Sequence, residues 1–137
     1  MLSPSRTVKV LVVEDHVSLR SSLARVLAEH GFDVLQAMDG QAALDLLENE
    51  RADLMVADIF MPGIDGLQLL AHAHVQNENM RVILISAASF DGIAEAAMRL
   101  GVDAFLPKPF LPAELVSAVE RVLGERVPRQ ASPPQPI

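Results

Sequence analysis

The sequence predicts a parallel α/β sheet with helices on both faces. Two observations carry that prediction. Five short runs rich in β-branched and aliphatic residues are each followed by apolar residues at helical spacing, with short connections between them. The runs are also nearly unbroken in hydrophobicity, as in strands buried on both faces of a parallel sheet. Right-handed crossovers then leave few topologies. The 137 residues, half of them hydrophobic, suit one domain with a sizeable core and short ends.

The first strand is Val8 to Val13, and Glu14-Asp15-His16 ends it. Val17, Leu19, Leu23, Val26 and Leu27 recur at helical spacing through about His30, and Gly31 closes that helix. Phe32 to Gln36 is a second, more polar strand, as an edge strand should be. Asp39-Gly40 makes a turn, and Gln41 to Glu50 a short helix with Ala42, Ala43, Leu46 and Leu47 inward. Asp53 to Ala57 is the third strand and leads to Asp58, where the apolar run stops. Met61-Pro62-Gly63 and Asp65-Gly66 then force a loop. Leu67, Leu70, Ala71 and His74 form the expected inner face of the third helix.

Arg81 to Ile85 is the fourth strand and delivers Ser86 into a small-residue loop, Ala87-Ala88-Ser89. An Ala-rich helix with a thin apolar face is expected from Asp91 to Leu100, capped by Gly101. Val102 to Leu106 is the fifth strand, and Pro107-Lys108-Pro109-Phe110 a tight loop. Pro112 suits the first turn of the last helix, which buries Leu115, Val116, Val119, Val122 and Leu123. The expected organisation is a disordered leader over 1–6, one domain over 7–124, and a linker or tail over 125–137, where four prolines argue against packed structure.

Composition excludes several classes. No Cys means no disulfide framework and no thiolate metal site. The net charge of -7 disfavours nucleic acid, and Trp and Tyr, the usual stacking anchors, are absent. No apolar run approaches a membrane span, and the N-terminus has no signal-peptide pattern. A cytoplasmic location is expected, without contact to membrane.

In such sheets ligands sit beyond the carboxyl ends of the strands, at the switch point. Asp15, Asp58, Ser86 and Lys108 each follow a different apolar strand and so converge there. Asp58 is the centre of this set. A carboxylate at the mouth of a buried strand is costly unless paired. Glu14, Asp15 and Asp58 crowd three negative charges, which a hard divalent cation with oxygen ligands would resolve. Magnesium suits that role, with the backbone carbonyl of Phe60 as a further ligand that needs no particular side chain. Lys108 and Ser86 would take the other side of an incoming phosphoryl group, whose transfer needs positioning and charge neutralisation above all.

The pair Glu14-Asp15, the run Asp58-x-x-Met61-Pro62-Gly63-x-Asp65-Gly66, Ser86 after its strand, and Lys108-Pro109 resemble the receiver domain of two-component response regulators over residues 8–123. The resemblance implies a flavodoxin-like, doubly wound five-stranded sheet of order 2-1-3-4-5. It implies Asp58 as phosphoacceptor for a sensor histidine kinase, with Mg2+, or Mn2+ in its place, held by Glu14, Asp15, Asp58 and the Phe60 carbonyl. Ser86 and Lys108 would contact the phosphoryl oxygens. Ser86 and Phe105 would act as the switch, repacking the face of the fourth helix, fifth strand and fifth helix to control an output domain or partner. That face is also the expected surface for a homodimer. The Lys108–Pro109 peptide is expected to be cis. On this reading the domain is a phosphorelay acceptor rather than an enzyme.

Two features depart from the family pattern. Glu14 stands where Asp is commoner, and Phe105 where Tyr is frequent. Phe60 and Ala88 flank the site where polar residues are frequent, which predicts slow self-dephosphorylation.

The rival readings fit less well. A haloacid-dehalogenase-type phosphatase needs an acid at the position of Phe60, and a flavodoxin-like electron carrier needs a phosphate loop where Glu14-Asp15 would repel it. A degenerate, binding-only receiver would not need the full acidic pair, Asp58, Ser86 and Lys108. His16 reads as a helix opener more readily than as a metal ligand. Asp103 and Arg121 are either a surface pair or a solvated face.

Overall fold

The computed structural model describes residues 7–87 and 92–131, with side chains through Gly124. Strands and helices alternate as β1 (Lys9–Val13), α1 (Val17–Glu29), β2 (Asp33–Ala37), α2 (Gly40–Asn49), β3 (Leu54–Asp58), α3 (Gly66–Gln76), β4 (Arg81–Ser86), α4 (Ile93–Arg99), β5 (Ala104–Pro107) and α5 (Pro112–Ala131). All strand pairs are parallel, in the order β2-β1-β3-β4-β5. The expected leader over 1–6, Ala88 and Ser89, Asp91 and the tail beyond Ala131 lie outside the described residues.

The pleat sorts each buried strand onto two cores. Leu11, Val13, Met55, Ala57, Val82 and Leu84 pack with Ala43, Leu47, Leu69, Leu70 and Ala97, beneath α2, α3 and α4. Val10, Val12, Leu54, Val56, Ile83 and Ile85 pack with Leu23, Leu27, Leu115, Val119 and Val122, beneath α1 and α5. This is why the central strands read as continuous apolar runs, while edge strand β2 keeps only Ala37 buried.

Three local details differ from expectation. The buried face of α3 is Gly66, Leu69, Leu70 and Ala73, with Ala71 exposed and His74 half-buried. Its apolar residues lie on more than one face, so periodicity was ambiguous. Its start is set by a capping box, with Asp65 accepting from Gln68 N at 2.8 Å and Gln68 Oε1 accepting from Asp65 N at 3.0 Å. α5 continues past Gly124, since a single Gly costs a helix only about 1 kcal/mol. Asp103 accepts from Arg81 Nη1 at 3.0 Å and Val82 N at 2.8 Å, at the amino ends of β4 and β5, rather than pairing with Arg121.

Candidate functional site

Parallel pairing brings the carboxyl ends of β1, β3, β4 and β5 to one edge. Asp58 is the last residue of β3 and pairs with Ile85. Ser86 is the last of β4, pairs with Pro107 and is fully buried. Lys108 follows β5, and its backbone N–H donates to the Ser86 carbonyl at 2.8 Å. That bond holds the lysine beside the end of β4, so its four-carbon stem reaches across to β3. Its ammonium donates to Asp58 Oδ2 at 2.6 Å and stands 3.5 Å from Glu14 Oε1. The Lys108–Pro109 peptide is cis.

Asp58 is 5% exposed, and its other oxygen, Oδ1, accepts from Phe60 N at 3.0 Å. This puts the Phe60 backbone beside the carboxylate while the ring remains about half exposed. Gly66 explains how the loop closes so tightly. Its N–H donates to the Ile59 carbonyl at 2.7 Å, and a Cβ there would lie 2.6 Å from both the Asp58 carbonyl oxygen and Ile59 Cα. The Asp65-Gly66 pair therefore caps α3 and also lets that helix start against the strand end that carries Asp58.

Glu14 is fully buried. Its N–H donates to the Ala37 carbonyl at 3.1 Å, and its carbonyl accepts from Arg20 Nη1 at 2.9 Å. Oε2 accepts from His16 N at 3.1 Å and is hydrogen-bonded to His16 Nδ1 at 3.3 Å, whereas Oε1 is buried with no hydrogen-bond partner. Burial raises the Glu14 pKa, the His16 N–H works against that, and the neighbouring Asp58 charge adds to it. Burial also disfavours the Lys108 ammonium, but the hydrogen bond and charge of Asp58, with Glu14 behind it, outweigh this and leave its pKa raised. Asp15 is partly exposed beside them.

The residues fit a hard divalent cation. Among the described residues, Glu14, Asp15 and His16 offer ligand atoms within 4.8 Å of one another, and the buried Glu14 Oε1 has no hydrogen bond, only the Lys108 ammonium at 3.5 Å. Asp58 is outside that group, with Oδ2 engaged by Lys108. The structure thus brings Glu14, Asp58 and Lys108 into contact, sets Ser86 at the neighbouring strand end, and leaves Phe105 on β5, opposite Leu84 and packed against the α2-α3-α4 core. Sequence reading missed Arg20 as the clamp on the Glu14 carbonyl. No local signal marks it, because the contact depends on the angle between β1 and α1.

Comparisons with known proteins agree with this geometry. A family model described as the response regulator receiver domain matches residues 10–120. The chain is 35% identical over 123 residues to the response regulator MprA of Mycolicibacterium vanbaalenii, covering 88% of this chain and 52% of that protein. It is 34% identical over 128 residues to MprA of Mycobacterium tuberculosis, covering 92% of this chain and 55% of that one. The chain therefore spans about half the length of the curated relatives it matches. Among solved structures, a CheY-like receiver domain protein from Methanospirillum hungatei superposes with a TM-score of 0.86 at 26% identity, over 90% of this chain and 99% of that one. NtrX from Brucella abortus, solved in complex with ATP, superposes with a TM-score of 0.84 at 30% identity, over 91% of this chain and 29% of that one. Among the described residues no helix is long and apolar enough to cross a membrane.

Proposed function

The chain belongs to the response regulator receiver family, and from that premise we propose that Asp58 accepts a phosphoryl group from a sensor histidine kinase and thereby switches a neighbouring surface. One observation carries this reading. The Lys108 ammonium sits 2.6 Å from a nearly buried aspartate at a strand mouth, with a second buried carboxylate, Glu14, behind it.

In the proposed transfer a carboxylate oxygen of Asp58 attacks the phosphorus of the donor phosphohistidine. A carboxylate–phosphorus bond forms, the phosphorus–nitrogen bond breaks, and its electron pair leaves with the imidazole. Phe60 N holds Asp58 Oδ1 and so fixes the attacking group. Lys108 stands where negative charge accumulates and can exchange Asp58 Oδ2 for a phosphoryl oxygen. Glu14, Asp15, Asp58 and the Phe60 carbonyl would hold Mg2+, or Mn2+, which when bound neutralises phosphoryl oxygens.

Phosphorylation draws Lys108 and Ser86 toward the new group in this reading. Phe105, three residues before Lys108 on a short strand, then repacks between β5 and α4. Helix α4 buries only Ala97 among its described residues, which suits an element that shifts at low cost. The α4-β5-α5 face then acts on an output domain, a partner or a second copy of the chain. The domain serves as a phosphorelay acceptor that assists its own transfer.

Incubation with acetyl phosphate and Mg2+, followed by intact-mass measurement, tests the proposal. The expected result is a gain of about 80 Da, one phosphoryl group, absent in Asp58→Asn and absent without the metal. An unchanged mass in the unsubstituted chain would overturn it.

A further inference from the structure

We propose that Arg20 is a positioning residue for phosphoryl transfer: its guanidinium grips the Glu14 carbonyl and so holds both acids of the β1–α1 turn in the orientation that serves Asp58. The inference rests on Asp58 as phosphoacceptor and adds a residue outside the acids, hydroxyl and lysine which that reading already uses.

Glu14 follows the last residue of β1, and only Asp15 and His16 separate it from α1. Its N–H still joins the sheet, 3.1 Å from the Ala37 carbonyl. Its carbonyl comes before the N-cap residue, His16, so no helical N–H turns back to it. Arg20 fills that place from one turn inside α1. Helical side chains lean toward the helix N-terminus, which aims this one back over the turn. Its Nη1 donates to the Glu14 carbonyl at 2.9 Å, while its own backbone N–H donates to the His16 carbonyl at 2.9 Å. His16 N in turn donates to Glu14 Oε2 at 3.1 Å. These bonds tie Glu14, His16 and Arg20 into one unit.

One bond controls two acids because a peptide unit is planar. Fixing the Glu14 carbonyl also fixes the Asp15 N–H in the same plane, and with it the backbone angles that aim both side chains. The leverage falls on the reacting group. Glu14 Oε1 stands 3.5 Å from the Lys108 ammonium, and that ammonium donates to Asp58 Oδ2 at 2.6 Å. A turned Glu14 peptide therefore changes what Lys108 meets and, through it, how Asp58 is held. A misplacement of about 1 Å can cost about 100-fold in rate. The fold has no comparable stake in Arg20. Helix α1 is anchored by buried Leu23, Ala24 and Leu27, and Arg20 is only partly buried. The contact is a single N–H rather than a two-pronged fork, so the charged donor of a lysine can stand in for it.

Phosphorylation of the full chain by acetyl phosphate at saturating Mg2+, followed by intact mass, tests this in Arg20→Met, which keeps helix propensity and loses the donor. The rate at saturating acetyl phosphate should fall about tenfold, while the half-saturating concentration changes by less than about twofold. Arg20→Lys should recover at least about a third of the rate. Amide hydrogen exchange of the metal-free protein gives a readout independent of turnover. The β1–α1 turn should exchange about tenfold faster in Arg20→Met, while protection in α5 stays unchanged and shows that the fold is intact. Arg25, exposed farther along the same helix, controls for charge, and Arg25→Met should keep the rate within about twofold. An unchanged rate or unchanged exchange in Arg20→Met, no recovery with lysine, or an equal loss in Arg25→Met would overturn the proposal. An unsubstituted chain that gains no phosphoryl group would instead sink Asp58 as the acceptor, so the two failures give different results.

Discussion

Replacing Glu14 by Gln should stabilise the metal-free protein and weaken its response to magnesium. Glu14 is fully buried, Oε2 is hydrogen-bonded to the His16 backbone N–H and ring Nδ1, and Oε1 has no hydrogen bond, only the Lys108 ammonium at 3.5 Å. Burial is the largest influence on its carboxyl and, with Asp58, raises its pKa despite the His16 N–H and Lys108. The ionised form is therefore disfavoured in the folded state. A glutamine of the same shape can still accept from His16 N, carries no charge, and turns an amide toward Asp58. An orphaned buried polar atom costs about 1–3 kcal/mol, and the amide forfeits some attraction to Lys108, so a net gain of about 1 kcal/mol is expected. For a domain of this size that is roughly 3–5 °C in melting temperature.

The same substitution removes a ligand. Tenfold weaker magnesium binding would cut the stabilisation at saturating metal by about 1.4 kcal/mol. The unfolded chain loses the Glu14 proton near 4.5 and the folded chain above it. Folded stability therefore falls as pH rises between those values, and Glu14→Gln should flatten that limb. Thermal melts with and without Mg2+, repeated across pH, check all three effects. A less stable metal-free variant, or an unchanged magnesium shift, would refute the reasoning.

Other substitutions probe the remaining contacts. Lys108→Met should cost about 2–3 kcal/mol without metal, because Asp58 and Glu14 lose their shared cation, and urea unfolding would read it. The raised Lys108 pKa means its contribution is complete below 10.5 and lost as pH rises through the folded value, so the unsubstituted protein should weaken in alkali more steeply than Lys108→Met. Gly66→Ala should cost about 2–3 kcal/mol in urea unfolding, since its Cβ would meet backbone atoms at 2.6 Å that cannot yield as a side chain would. The acyl phosphate on Asp58 should persist for minutes or longer, because Phe60 offers no group to orient water; decay within seconds, followed by intact mass, would contradict this.

The sequence by itself determined the alternation of elements and where the chemistry stands along the chain. Val10 to Val13, Leu54 to Ala57 and Val82 to Ile85 read as buried strands because each residue faces one of two cores, and that leaves a continuous apolar signature. Where such a run stops, a polar residue stands at the strand mouth, so Glu14, Asp58, Ser86 and Lys108 were visible from local pattern alone. The strand order was not visible in periodicity and came from family resemblance, since it depends on hydrogen bonds between segments far apart in the chain. Only the tertiary structure decided that Asp103 would meet Arg81, that α3 would bury Leu69 and Ala73, and that the His16 ring would fold back onto Glu14 and Asp15. It also decided that Lys108 would cross the end of β4 to reach Asp58 and leave one Glu14 oxygen without a hydrogen bond. These are contacts set by the angles and offsets between packed elements, and no stretch of sequence encodes them locally.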